Sequence, residues 1–456
     1  MAQRFATFML VAFAVGSPAL GAKPIGWRHD TSGNFPGSLP PAEWSAEEHI
    51  LWKTRLPAGS NASPVIVGDR VYICAEPARL TCLSADDGSK IWEQDHTYEK
   101  LVSPEVWQQA QKDLESGNVI RRRLDELRKA IGDLDRQLQE NPKDQALKDS
   151  RQELAEKIQG LEEELKPLDR YRTPERSAGC STATPVSDGR HVFAVFGTGV
   201  VVCYDLAGEQ QWVRLFDKPK LDWGHTASPL LTSGRLLIHL DDLVALDPQS
   251  GETLWSAEVK ANYGSPVPCR AGDTDLVATA GGDVIRVSDG KILAKGVVEQ
   301  LRACSPIANG STLYFIQGQA RAVRLPSDLA AGGEPQTVWE KKLYQDNYYA
   351  SPLLHKGLIY AVSENRVLTV LDAETGEEVY EQKLRFKGRG AVTSSLAAVG
   401  DQVYIIQENG NTKVLRAGRE YEELAENPLE GLRSSPVVAD GRLYIRGNEH
   451  LYCIGD

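Results

Sequence analysis

Short runs in which apolar and polar residues alternate, separated by Gly- and Asp-rich turns, fill most of the chain. A period of two sends successive side chains to opposite faces of a strand, so each run predicts a short β-strand. The runs come in groups of four, and the groups recur at a spacing of about forty residues, the signature of a repeat architecture. The clearest unit passes through Ser63-Pro64, Gly68, Val71-Tyr72, Leu83, Gly88 and Trp92. A second runs through Ser228-Pro229, Gly234, Leu246-Asp247, Gly251 and Trp255, and a third through Ser351-Pro352, Gly357, Ile359-Tyr360, Leu371-Asp372, Gly376 and Tyr380. Weaker units extend from Thr184-Pro185 to Trp212, Ser265-Pro266 to Leu293, Ser305-Pro306 to Trp339 and Ser394-Ser395 to about Leu424, which makes seven complete units.

A sheet of four short strands cannot bury both of its faces alone. Stacking it radially against similar sheets covers both faces and leaves only short outer edges. The Trp that ends each unit is expected to pack between neighbouring sheets. A last unit, from Ser435-Pro436 through Leu443-Tyr444 to Cys453-Ile454, lacks its fourth strand, and residues 50–56, with Trp52, supply a strand of that type with no sheet of its own. The expected fold is therefore all-β: an eight-bladed β-propeller closed by pairing of an N-terminal strand with the C-terminal blade. Without that pairing, seven blades would remain.

Between Trp92 and Thr184 the period changes from two to about three and a half. Leu124, Leu127, Ile131, Leu134 and Leu138 form one apolar seam, and Leu147, Leu154, Ile158, Leu161 and Leu165 form another after Asn141-Pro142, a helix stop. An antiparallel coiled-coil hairpin over residues 104–170, inserted between the first two blades and reaching roughly 40 to 50 Å, is predicted. Such an arm either decorates the ring, docks a partner or forms a flap over one face.

Composition narrows the setting. Arg4 followed by an apolar run from Phe5 to Val15 and small residues before Ala22 reads as a signal peptide over residues 1–22, leaving 23–456 as the propeller of an exported protein, periplasmic or extracellular. The run is too short to span a bilayer, and no Cys lies in it to carry a lipid anchor. The formal charge of −12 disfavours a nucleic-acid partner, which needs a basic field. Seven cysteines leave at least one unpaired, and Cys82, Cys203 and Cys453 fall in the same slot of their units, as core residues would. No Cys-x-x-Cys, His-Glu-x-x-His, Gly-x-Ser-x-Gly or phosphate-loop pattern occurs, so no catalytic or metal-ligating residues are assigned.

The pattern Leu-Asp-x-x-(Ser/Thr)-Gly-x-x-x-Trp, present at Leu246–Trp255 and nearly intact at Leu371–Tyr380, resembles the tryptophan-docking motif of pyrroloquinoline quinone (PQQ)-like propeller repeats. The resemblance covers nearly all of the chain beyond residue 22 except the helical insertion. It implies the propeller fold, and two functional branches share it. One is non-catalytic and includes the propeller of the outer-membrane β-barrel assembly machinery; here it implies a protein-binding or scaffold role with envelope or secreted proteins as partners and no cofactor. The other is PQQ-dependent dehydrogenases oxidising alcohols or sugars, which would bring PQQ with calcium. The adjacent cysteines of the methanol-oxidising type are missing here, as is a Cys-x-x-Cys-His haem domain.

In a propeller the loops entering the innermost strands converge on one end of the central channel. Residues just ahead of each Ser-Pro are therefore candidates for a ligand funnel: Asn61, His225, Tyr263, Arg302, Tyr349, Arg389 and Arg433. Three arginines converging there would form a positive well for a carboxylate or phosphate. Alternatively, these residues bond to neighbouring loops and plug the channel.

Overall fold

The computed structural model describes residues 25–45, 47–175 and 177–456; the expected signal segment, 1–22, lies outside them. The chain is mostly β. Four-stranded antiparallel sheets form in order over residues 65–95, 186–215, 230–257, 267–294, 307–342, 353–383 and 397–427, and an eighth uses 437–454. The seventh sheet gains a short parallel strand, β1 (Asn34–Phe35), which pairs with Ala397–Val399. The eighth is completed by β2 (Ile50–Arg55), antiparallel to His450–Ile454 with Trp52 opposite Cys453, the pairing expected from the sequence.

Strand position decides how the period-two pattern is used. In a middle strand such as Arg70–Ala75 residues on both faces are buried, because neighbouring sheets cover both. In the outermost strand of that sheet, Lys90–Asp95, exposure returns. The tryptophans of these outer strands dock on the next sheet. Trp52 Nε1 donates to Ala85 O (3.0 Å), Trp92 to Leu206 O (3.2 Å), Trp212 to Pro248 O (2.9 Å), Trp255 to Val287 O (3.0 Å) and Trp339 to Ala373 O (3.0 Å). Each ring lies on a turn glycine of that next sheet, and at Gly251 (φ +69°) a Cβ would sit 2.7 Å from the Trp212 ring. Opposite each of these tryptophans the partner strand carries a small residue: Cys82, Cys203, Ala245, Ala322 or Cys453.

A second set of bonds runs inside the sheets. The backbone N–H of Ser63 donates to Thr184 Oγ1, Thr184 to Ser228 Oγ, Ser228 to Ser265 Oγ and Ser265 to Ser305 Oγ, at 2.8 to 3.0 Å. Ser305 then donates to Ser351 Oγ, Ser351 to Ser395 Oγ, Ser395 to Ser435 Oγ and Ser435 back to Ser63 Oγ, at 3.0 to 3.1 Å. The circuit visits every sheet once and returns to its start. The repeated Ser/Thr before Pro is thus explained, since only a short hydroxyl at the strand entrance reaches the neighbouring N–H.

Between the first two sheets lie a single turn, α1 (Tyr98–Leu101), and two helices, α2 (Pro104–Glu140) and α3 (Gln145–Leu168). Helix α2 begins about twenty residues before the first seam leucine; Ser103 caps it and Pro104 opens it. Ion pairs Arg128–Glu162 (2.8 Å) and Arg151–Asp135 (2.6 Å), with Arg121–Asp169 nearer the sheets, set the helices antiparallel. Among the described residues no helix is long and apolar enough to cross a membrane.

Candidate functional site: an axial cavity with a plugged floor

The eight ring hydroxyls encircle a cavity of about 520 Å³. A strand entrance alternates like the strand it feeds, so the residue two positions before each ring residue shares its face. Those positions are Asn61, Thr182, Thr226, Tyr263, Ala303, Tyr349, Thr393 and Arg433, and all of them line the cavity. Four of the seven residues singled out from the sequence are among them: Asn61, Tyr263, Tyr349 and Arg433. The other three are not. His225 and Arg302 stand three positions before their ring residues, which turns them to the other face, and Arg389 is exposed six positions before Ser395. A uniform offset of two would have found all eight of these positions in the sequence.

The positive well therefore does not form. Among the described residues the charged side chains lining the cavity are Arg433, Glu364 and Glu408, and Arg433 Nε is paired with Glu408 Oε1 at 3.0 Å. Glu364 accepts a bond from Asn347 Nδ2 at 2.8 Å, and Asn347 Oδ1 in turn accepts from Arg302 Nη1 at 2.7 Å. Arg302 stacks over Trp223, its Cζ 5.7 Å from the ring centroid. Trp223 also stacks on Tyr263 (4.9 Å, 23°) and meets Tyr349 edge-on at 6.2 Å. Burial, reinforced by the Glu364 carboxylate, raises the Tyr349 phenol above its ordinary pKa.

His225 is sealed behind this wall. It is 1% exposed, neither ring nitrogen has a hydrogen-bond partner, and burial, with His239 nearby, lowers its pKa to about 4. An imidazole held neutral and away from the cavity offers it neither a base nor a ligand. Cys74, Cys82, Cys203, Cys269, Cys304 and Cys453 are likewise buried and unbridged.

Two segments outside the repeat complete the site. The floor is the N-terminal stretch, which bridges to the second sheet at Ile25 and Ser187, presents Trp27 to the cavity and reaches the sixth and seventh sheets at Arg28. Those sheets stand across the ring from the second, so the segment crosses the axis. The buried Arg28 donates through Nη2 to Pro352 O (2.9 Å) and Leu396 O (3.1 Å), and desolvation lowers its pKa to about 9. Gly33, at φ +79°, packs so closely on that guanidinium that a Cβ would fall 2.4 Å from Nη2. A lip is formed by the chain returning from α3. Glu76 accepts bonds there from the N–H groups of Cys180 (2.9 Å) and Ser181 (2.8 Å) and from Ser181 Oγ (2.6 Å), fixing the stretch that brings Ser177 and Ala178 to the cavity. Neither plug nor lip carries a repeat signal, so sequence reading passed over both.

Sheets stacked about an axis, Trp-on-Gly docking between them and a hydroxyl-lined central cavity define a β-propeller, similar to the propellers built of PQQ-like repeats. The family profile described as outer membrane protein assembly factor BamB matches residues 43–124 and 330–456. No curated protein matches by sequence. Among solved structures, BamB from Moraxella catarrhalis is similar at 13% identity and a TM-score of 0.54, over 89% of this chain and 96% of that one. The computationally designed protein Ika8 is similar at 10% identity and a TM-score of 0.55, over 90% of this chain and all of its own. Quinohemoprotein alcohol dehydrogenase from Comamonas testosteroni gives 11% identity and a TM-score of 0.53, over 90% of this chain and 78% of that one. At these identities the likeness is one of fold.

The cavity does not suit the quinone and calcium of the dehydrogenase branch. Among the described residues no group of three His, Cys, Asp or Glu stands close enough to hold a metal ion. Of the two lining carboxylates Glu408 is neutralised by Arg433, which leaves Glu364 as a lone donor, and among the described residues no cysteine lines the cavity.

Proposed function

We propose that this protein is an exported, non-catalytic propeller of eight blades, closed by the β2 overlap, that works as a protein-binding or scaffold module among envelope or secreted proteins. The funnel residues Asn61, Tyr263, Tyr349 and Arg433 belong to its binding cavity, and α2 and α3 form a coiled-coil arm that offers a second docking surface. The observation that carries this reading is the character of the axial cavity. It is walled by aromatic rings and hydroxyls, floored by the chain's own N-terminal segment, and its histidine and cysteines are withdrawn from it. Such a site holds a ligand among rings, hydroxyls and carboxylates with no imidazole base or thiol nucleophile beside it. The BamB profile and the BamB fold support the same direction.

The test has two arms. Photo-crosslinkers placed on the exposed faces of α2 and α3 and at the cavity rim, in the host envelope, are expected to capture discrete protein partners. Calorimetry of the purified protein with PQQ and calcium, followed by a dye-linked assay over alcohols and aldoses, is expected to show neither binding nor turnover. Turnover in the second arm would make the cavity an active site and end the binding-module reading.

A further inference from the structure

We propose that the axial cavity is a receptor for a basic side chain, Lys or Arg, carried on a projecting loop of a protein partner. The proposal rests on the binding-module reading and names what the cavity recognises.

Charge comes first. Among the described residues two carboxylates and one guanidinium line the cavity, and the guanidinium is already paired with Glu408. Glu364 is held by the Asn347 amide, which takes the Arg302 guanidinium on its other side, so among the described residues the carboxylate is oriented without an ion pair of its own. A carboxylate facing a partly desolvated space is stabilised by a cation more than by a neutral hydroxyl, and it repels phosphates and carboxylates.

Aromatic geometry comes second. Tyr349 lies close to Glu364, with Trp223 and Tyr263 beside it. A ring face next to a carboxylate is the combination that holds ammonium and guanidinium groups. The cluster already does this within the chain, where Arg302 stacks on Trp223.

Shape comes third. Trp27 and the N-terminal segment close one end, so an occupant must enter from the other, tip first. A long side chain borne on a loop satisfies that constraint, whereas a threaded strand does not. The hydroxyl ring adds little selectivity, because its oxygens are committed to the circuit of inter-sheet bonds.

The experiment is calorimetry of the full-length mature protein with acetyl-Gly-Gly-Arg-Gly-Gly-amide and its Lys and norleucine counterparts, with spermidine and maltotriose as further arms. The Arg and Lys peptides are expected to bind and the norleucine peptide and maltotriose not to. Glu364→Gln and Tyr349→Ala are each expected to weaken binding about tenfold, a difference of about 1.4 kcal/mol, with Glu374→Gln as an exposed control without effect. Binding should also weaken as salt is raised. Equal binding of the norleucine peptide or of maltotriose, no binding of either basic peptide, or an unchanged affinity in Glu364→Gln with its melting temperature intact would overturn the assignment. Spermidine binding without peptide binding would give the site to a free polyamine and equally overturn it. If the basic peptides fail while crosslinkers still capture partners, the cavity assignment falls and the scaffold reading stands.

Discussion

The turn glycines separate two roles that look alike in the sequence. Gly68 and Gly251 both close a tight turn with positive φ, but a Cβ on Gly68 meets nothing within 4 Å, whereas one on Gly251 strikes the Trp212 ring. Gly68→Ala is therefore expected to cost only the left-handed backbone penalty, about 1 kcal/mol. Gly251→Ala adds the displacement of a docked indole and is expected to cost a further 1 to 3 kcal/mol or so. Paired denaturant titrations measure the difference, and equal losses would mean that the docking is not tight.

His225 sets a pH dependence whose sign follows from its lowered pKa. The unfolded imidazole takes up a proton near pH 6.5, while the buried one resists protonation until about pH 4. The unfolded state thus binds more protons over that window, and stability falls as pH drops from about 6.5 towards 4, by as much as about 3 kcal/mol from this residue. Melting temperatures across that range should show the decline, and His225→Leu should flatten it. His239, also lowered by burial, adds to the slope.

At the scale of elements, α2, α3 and β2 are the parts that depart from simple repetition. The seam leucines announced the two helices, and their half-buried state shows a two-helix pair that closes on itself along one side. Its attachment to the sheets lies at one end, where Trp107 packs against the core of the first two sheets. Lys218 Nζ reaches the carbonyl oxygens of Asp169 and Arg172, and Tyr171 packs on Tyr98. Replacing residues 104–170 by a short Gly-Ser linker keeps Tyr98 and Tyr171 and is expected to shift the melting midpoint little while abolishing crosslinks that map to the arm. A collapse of the melt would instead show that the arm is part of the core. Removing residues up to 56 is the contrasting change. It strips β2 from the eighth sheet and Trp52 from its dock, leaving buried strand edges open, and is expected to cost most of the folding cooperativity by calorimetry.

Across the whole molecule, the N-terminal plug makes a ring with a channel into a ring with a blind cavity. Arg28 holds it with two bonds to backbone carbonyls in a fully buried setting, and its Nε has no partner there. Arg28→Met removes the charge but leaves the carbonyls of Pro352 and Leu396 unpaired, at a cost of about 2 to 4 kcal/mol. Protease susceptibility near residues 25–33 is expected to rise in that variant before the sheets melt. Simultaneous loss of both would mean that the plug is integral to the ring.

Much of this architecture was legible because it is written in nearest-neighbour chemistry. A period of two, a Ser or Thr before Pro in seven units, turn glycines and a Trp on five of the eight outer strands are local demands of one sheet and its contact with the next, so most copies record them. Repetition alone therefore determined the strand groups, the homeless strand around Trp52 and the helical interruption. The cavity depended on residues that differ from unit to unit, and an error of one position turned His225 and Arg302 away from the axis, because side chains in a strand change face at every step. Two further features arose only when the ring was assembled: a cavity that gathers aromatic rings, hydroxyls and the Arg433–Glu408 pair at the axis, and a floor made by a segment bound to three sheets distant in sequence. The sequence by itself determined the repeating unit and its joints. The tertiary structure decided what meets at the axis, because residues converging there belong to eight separate units and no local pattern constrains them together.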